Sequence, residues 1–212
     1  MLITSVQWQG VRIPLTKAPT IGREPVLYRN SLIIWIHTDN GLTGIGEAAP
    51  VGPGRDQVIP VIGEMLSDLA PSAIGVSPVV GVDLVSTLAP RGTYGDAIRL
   101  GLDIALMDLL GKQALRPIST LLDGTTDWVA MSAIIDFEAP EEASRQALGF
   151  ADQGYPCIKL TLGARDPNQD IEVVRQVREA VGPDIALRAD VDESWTSERA
   201  IEMLPALEPY NL

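Results

Sequence analysis

The chain has 212 residues, 46% hydrophobic and 21% charged, an ordinary globular composition with room for one or two domains. Its formal net charge of −12 and pI near 4.4 repel phosphate backbones, and no run of five or more Lys/Arg offsets this, which excludes nucleic acid as a partner class. No apolar run reaches the ~18 residues of a membrane helix, the start MLITSVQWQGVRIP lacks a signal-peptide pattern, the single Cys157 excludes an internal disulfide and fits a reducing cytoplasm, and the single His37 removes most zinc-site and Ser/His/Asp chemistry.

Antiparallel sheet is expected first. Ile3 to Ile13 alternates and ends at Pro14, and Leu27 to Thr38 is rich in β-branched and aromatic residues. Asp39-Asn40-Gly41 supplies the positive φ of a tight turn, so Leu42 to Ala48 returns as the next strand. Thr16 to Pro25, with two prolines and a glycine, reads as a surface loop. Helices are then expected over Gln57 to Leu69 and Asp96 to Leu115. The second carries an apolar stripe of Ile98, Leu102, Ala105, Leu106, Leu109 and Leu110 and is stopped by Pro117. Gly124 to Asp127 reads as a linker.

Beyond Trp128 strands and helices alternate, which implies parallel pairing. Strands are expected at Val129 to Ile135, Cys157 to Leu162 and Ile185 to Asp192. Helices are expected to open at Pro140, at Asp166-Pro167 with Gln169 in capping-box spacing, and at Thr196, the last running through Leu207. Residues two apart on a strand share a face. Lys159 and Thr161 therefore share one face, and Arg188, Asp190 and Asp192 another. Adjacent parallel strands would bring Lys159 near Asp190. An amine beside carboxylates on the inside of a sheet is costly unless paired, metal-bound or solvated, so this is the best candidate site. A structural ion pair is the alternative. His37 and Cys157 read as structural, and Glu47 as a solvated or interdomain carboxylate.

The runs GLTGIGEAAP, GLDIALMDLLGKQALRPISTLLDG, VAMSAI, CIKLTLG and LRADVDESW resemble, in order, enolase-superfamily enzymes of the muconate-lactonizing subgroup. The likeness is nearest to o-succinylbenzoate synthase and extends over nearly the whole chain. It implies an α+β capping domain over 1–125 and a partial (β/α) barrel, strands 1–3, over 126–212. The implied chemistry is magnesium-dependent abstraction of a proton next to a carboxylate, through an enediolate. The expected reaction is o-succinylbenzoate synthase-type dehydration, with dipeptide epimerase, N-acylamino-acid racemase or cycloisomerase as alternatives. By the same resemblance Asp190 is the first Mg2+ ligand, Lys159 is the first lysine of a Lys-x-Lys pair, and the loop from Lys17 to Tyr28 folds over the barrel mouth to help choose a small carboxylate substrate.

Two positions depart from the family pattern. Thr161 stands where the proton-transferring lysine belongs, and a hydroxyl is no base near neutral pH. Asp192 stands where asparagine is usual and is either an extra ligand, an alternative base or drift. The chain also stops where the fourth strand is expected, so it supplies one metal ligand of three, and three of eight units cannot close a barrel. Catalytic inactivity of the chain alone is the expectation. The rival readings are a truncated product, one half of a split enzyme, and a carboxylate-binding module, with a homo-oligomer or a missing barrel half as partner.

Overall fold

The computed structural model describes residues 1–15, 20–21, 24–25, 27–50, 58–89, 91–136, 138–163 and 166–212. They form two compact units, Met1–Thr125 and Thr126–Leu212.

The first unit is α+β. Its three-stranded antiparallel sheet runs β1 (Ile3–Pro14), β4 (Tyr28–Thr38), β5 (Thr43–Ala48), with β4 central. A two-stranded ribbon, β2 (Thr20–Ile21) and β3 (Glu24–Pro25), occupies the segment expected to be plain loop. Much of the expected specificity loop Lys17–Tyr28, and the expected helix start at Gln57, lie outside the described residues. The β4–β5 turn forms at Asp39-Asn40-Gly41, where Gly41 takes φ +83° and its N–H donates to the Thr38 carbonyl at 3.1 Å. Alternation along β4 buries Leu32, Ile34 and Ile36 against helices α1 (Val58–Ala73) and α3 (Thr93–Ala114).

The approach of α3 to β5 is close because glycines line it. A Cβ on Gly44 would fall on the Ala105 carbonyl oxygen, and one on Gly46 on that of Gly101. The outer edge of β5 is tied down from α3. Asp108 Oδ2 accepts from Ile45 N at 2.9 Å and from Lys112 Nζ at 2.7 Å, and the same ammonium donates to the Thr43 carbonyl at 2.7 Å. These bonds occupy groups that a free edge strand would leave open. Helix α3 ends one residue earlier than the periodicity suggests. Leu115 turns left-handed (φ 53°) and Arg116 N donates back to the Gly111 carbonyl at 3.1 Å, a closure usually reserved for glycine. Helices α2 (Pro78–Leu88) and α4 (Ile118–Leu121) have no counterpart in the sequence reading. The Ser77 hydroxyl caps the first of these, accepting from Val80 N at 3.4 Å.

The second unit is a β/α alternation: β6 (Ser132–Asp136), α5 (Pro140–Asp152), β7 (Cys157–Thr161), α6 (Pro167–Val181), β8 (Ala186–Asp190), α7 (Ser197–Leu207) and a 3₁₀ turn at Glu208–Tyr210. The strands pair in parallel in chain order. Asp166 and Thr196 cap their helices as expected, accepting from Asn168 N at 2.9 Å and Arg199 N at 3.2 Å. One face of the sheet is covered: Ala133, Ile135, Ile158, Leu160, Leu162 and Leu187 form a single buried cluster with residues of all three helices. Arg178 of α6 fastens the end of this unit, donating to the carbonyls of Gly182 and Ile185 at 2.7 Å, Tyr210 at 2.9 Å and Asn211 at 3.0 Å.

All three strands of this unit are shorter than expected, the second by one residue, ending at Thr161. The first begins at Ser132, and Trp128, Val129 and Met131 before it are exposed. The third ends at Asp190. Among the described residues no helix is long and apolar enough to cross a membrane.

Candidate functional site

The face of the parallel sheet opposite the apolar cluster carries the polar residues. Strand alternation puts Ser132, Ile134 and Asp136 of β6, Cys157, Lys159 and Thr161 of β7, and Arg188 and Asp190 of β8 on this face. The register then decides which of them meet. Ile134, Lys159 and Arg188 stand level, and so do Asp136, Thr161 and Asp190 one step further along.

Two polar contacts result. Lys159 Nζ donates to Asp190 Oδ2 at 2.9 Å, joining β7 to β8. Thr161 Oγ1 donates to Asp136 Oδ1 at 2.7 Å, joining β7 to β6. The Lys159 hydrogen bond, reinforced by the Asp192 N–H that donates to Oδ1 at 3.0 Å, holds the Asp190 carboxyl below the usual carboxylate range. The Lys159 and Asp190 side chains are 31% and 46% exposed. An ion pair that open contributes only ~0–1 kcal/mol to folding. Stability is thus a weak reason for a lysine and an aspartate at this point, and both remain within reach of a ligand.

Of the residues singled out from the sequence, Lys159, Asp190 and Thr161 come together. Asp192 does not share their face. The chain leaves β8 after Asp190, and Asp192 (φ 44°) and Glu193 (φ 60°) turn left-handed, which leaves the Asp192 side chain exposed beyond the strand. Its backbone N–H, rather than its carboxylate, contributes to the site. Cys157 is half-buried on the Lys159 side and not in the apolar cluster. His37 lies in the first unit, its Nδ1 2.9 Å from the Thr43 hydroxyl across the strand pair, and Glu47 is exposed on β5. Asp136 lies one residue beyond the strand expected at Val129 to Ile135; carrying the period of Ser132 and Ile134 one step further places it on this face.

Asp190 offers the hard carboxylate oxygen that magnesium prefers. Among the described residues no three His, Cys, Asp or Glu side chains gather as a metal-binding group, and Asp136 lies two strands away, about 10 Å at the backbone.

Residues 7–123 match the mandelate racemase / muconate lactonizing enzyme N-terminal domain, and 142–212 the enolase C-terminal domain-like family. The D-Ala-D/L-Ala epimerase of Cytophaga hutchinsonii is 31% identical over 220 residues, covering 100% of this chain and 58% of the epimerase. The cis-3-hydroxy-L-proline dehydratase of Roseibium aggregatum is 34% identical over 183 residues, covering 84% of this chain and 49% of the dehydratase. The crystal structure of the dipeptide epimerase of Enterococcus faecalis V583, complexed with Mg and L-Leu-L-Tyr, superposes with a TM-score of 0.88 at 27% identity, covering 100% of this chain and 60% of that one. The chain therefore spans between about half and three fifths of the length of these relatives. A match to the cap, a match to the β/α unit, and relatives that align in order through both make this chain a member of the mandelate racemase / muconate lactonizing enzyme family of the enolase superfamily.

Proposed function

We propose that the full-length protein abstracts the proton next to a substrate carboxylate, through an enediolate, in a (β/α) barrel whose first three units are β6–α5, β7–α6 and β8–α7. The observation that carries this reading is the Lys159–Asp190 pair at 2.9 Å, on the sheet face that the helices leave uncovered. Magnesium, the cofactor this reading requires, neutralises charge on carboxylate oxygens. We assign Asp190 as a ligand to it, and the described residues do not complete the set. Lys159 keeps Asp190 ionised and places a positive charge beside the substrate carboxylate.

Thr161 bears on the outcome of the reaction. Inverting a carbon needs one base to remove the proton and an acid on the opposite face to return it. Thr161 occupies the position of one of those two groups and cannot act as a base near neutral pH. A reaction completed from one face fits better. A single base takes the proton from the carbon next to the carboxylate. The electrons left behind form a double bond as the adjacent carbon–oxygen bond breaks, and the hydroxyl leaves with a proton as water. We therefore favour dehydration of a β-hydroxylated, amino-acid-derived carboxylate, the type of reaction named in the dehydratase relative. The second reading is epimerisation of a dipeptide, favoured by the epimerase that aligns over the whole chain. Dehydration of the o-succinylbenzoate synthase type shares the one-face logic, but none of the relatives described above carries that name.

The test is to incubate full-length protein with Mg2+ and hydroxylated amino acids or dipeptides in D₂O and follow products by ¹H NMR. The expected result is loss of water without epimer, abolished in Asp190→Asn. Epimer formation without elimination, or activity that survives Asp190→Asn, would overturn the reading.

A further inference from the structure

We infer that Asp136 is the receptor for a protonated amine on the substrate, so that the site selects carboxylates with a free amino group over their N-acylated counterparts. This rests on the carboxylate-substrate reading above and adds the substrate class. The two carboxylates on the polar sheet face are in opposite circumstances. Asp190 has its cation in Lys159. Asp136 is half-buried, and its one polar contact among the described residues is the Thr161 hydroxyl on Oδ1. Among the described residues Oδ2 accepts no hydrogen bond, and no described Lys or Arg forms an ion pair with either oxygen. A half-buried carboxylate without a cation loses hydration and regains little from one neutral donor. A ligand ammonium would supply the missing charge in a charge-assisted hydrogen bond.

The neighbours support this orientation. Thr161 is 8% exposed and holds Oδ1, so the carboxylate plane is set before a ligand arrives and Oδ2 is the oxygen left to accept. The cations of the face, Lys159 and Arg188, stand level with each other one step back along the strands, where the ligand carboxylate is favoured. A ligand with a cationic amine at one end and a carboxylate at the other matches this polarity. An N-acyl group brings a neutral amide to Asp136 and leaves its charge uncompensated. A lysine at position 161 would fill the same place with its own ammonium, so the threonine that removes a base also keeps Asp136 open to the ligand.

The experiment is calorimetric titration of the full-length protein, in Mg2+, with L-alanyl-L-alanine and N-acetyl-L-alanyl-L-alanine, repeated on Asp136→Asn and Asp136→Glu. Asparagine keeps an acceptor for Thr161, and circular dichroism checks the fold. The expected result is binding of the free-amine dipeptide at least about tenfold tighter than its acetylated form, a preference that falls below about twofold in Asp136→Asn and partly returns in Asp136→Glu. Equal binding of the two, binding of neither, or a preference unchanged in Asp136→Asn overturns the inference. Turnover separates this from the reading it rests on. An intact preference with no exchange of the substrate α-proton leaves the amine site standing and removes the proposed reaction. α-Proton exchange that treats both ligands alike does the reverse.

Discussion

A lysine placed at position 161 should not act as a base, because Asp136 would hold its amine protonated. Thr161 Oγ1 lies 2.7 Å from Asp136 Oδ1 and the residue is 8% exposed, so an ammonium introduced there meets the same carboxylate with little water between them. Opposite charges about 4 Å apart at an effective dielectric of about 20 attract by roughly 4 kcal/mol. That is about 3 pKa units upward. Desolvation of the ammonium pulls the other way, so a net rise of about 1–3 units is expected. The comparison is between Thr161→Lys and the double variant Thr161→Lys/Asp136→Asn, with the introduced side chain followed by ¹³Cε NMR titration. The single variant should titrate at least about one unit above the double. A difference under about half a unit would mean that the two strands do not couple these side chains, and would refute the reasoning.

Three further outcomes follow from the packing and charge described above. Gly46→Ala drives a Cβ into the Gly101 carbonyl oxygen of α3, backbone that cannot step aside. It should cost about 3 kcal/mol and lower the thermal midpoint of the first unit by roughly 10 °C, whereas Gly149→Ala in α5, where a Cβ meets nothing within 4 Å, should stabilise by about 0.5–1 kcal/mol; scanning calorimetry that finds both neutral would contradict the close-packing account. Asp190 is held below the usual carboxylate range chiefly by Lys159, so it contributes stability above the unfolded carboxylate value that is lost as pH falls through the depressed folded one. Lys159→Met should raise the Asp190 midpoint towards the ordinary range in a ¹³Cγ titration, and an unmoved midpoint would count against the pair. Arg178→Ala removes donors to four carbonyls and should destabilise the second unit by about 2 kcal/mol in urea denaturation. Arg178→Lys should recover little of it, because an ammonium cannot reproduce the fork of the guanidinium.

Local chemistry made much of this protein legible in advance. Asn40-Gly41 can adopt the backbone of a tight turn, Asp166 and Thr196 present oxygens to the first amides of their helices, and period-two alternation put Lys159 and Thr161 on one face. Each property acts within a few residues and survives any tertiary arrangement. The same rule extended the third strand one step too far. Alternation alone cannot register that Asp192 and Glu193 turn left-handed, a conformation imposed by how the chain leaves β8 for α7. Leu115, left-handed without being glycine, escaped for the same kind of reason. Which residue faces which across strands was also beyond local reading. Asp136 stands level with Thr161 because helices α5 and α6, packed on the far face, fix the register of β6 against β7, and a slip of one residue would have sent the aspartate into the apolar cluster. Sequence periodicity assigns a side chain to a face; only long-range packing chooses its neighbour, and the chemistry of a site depends on neighbours.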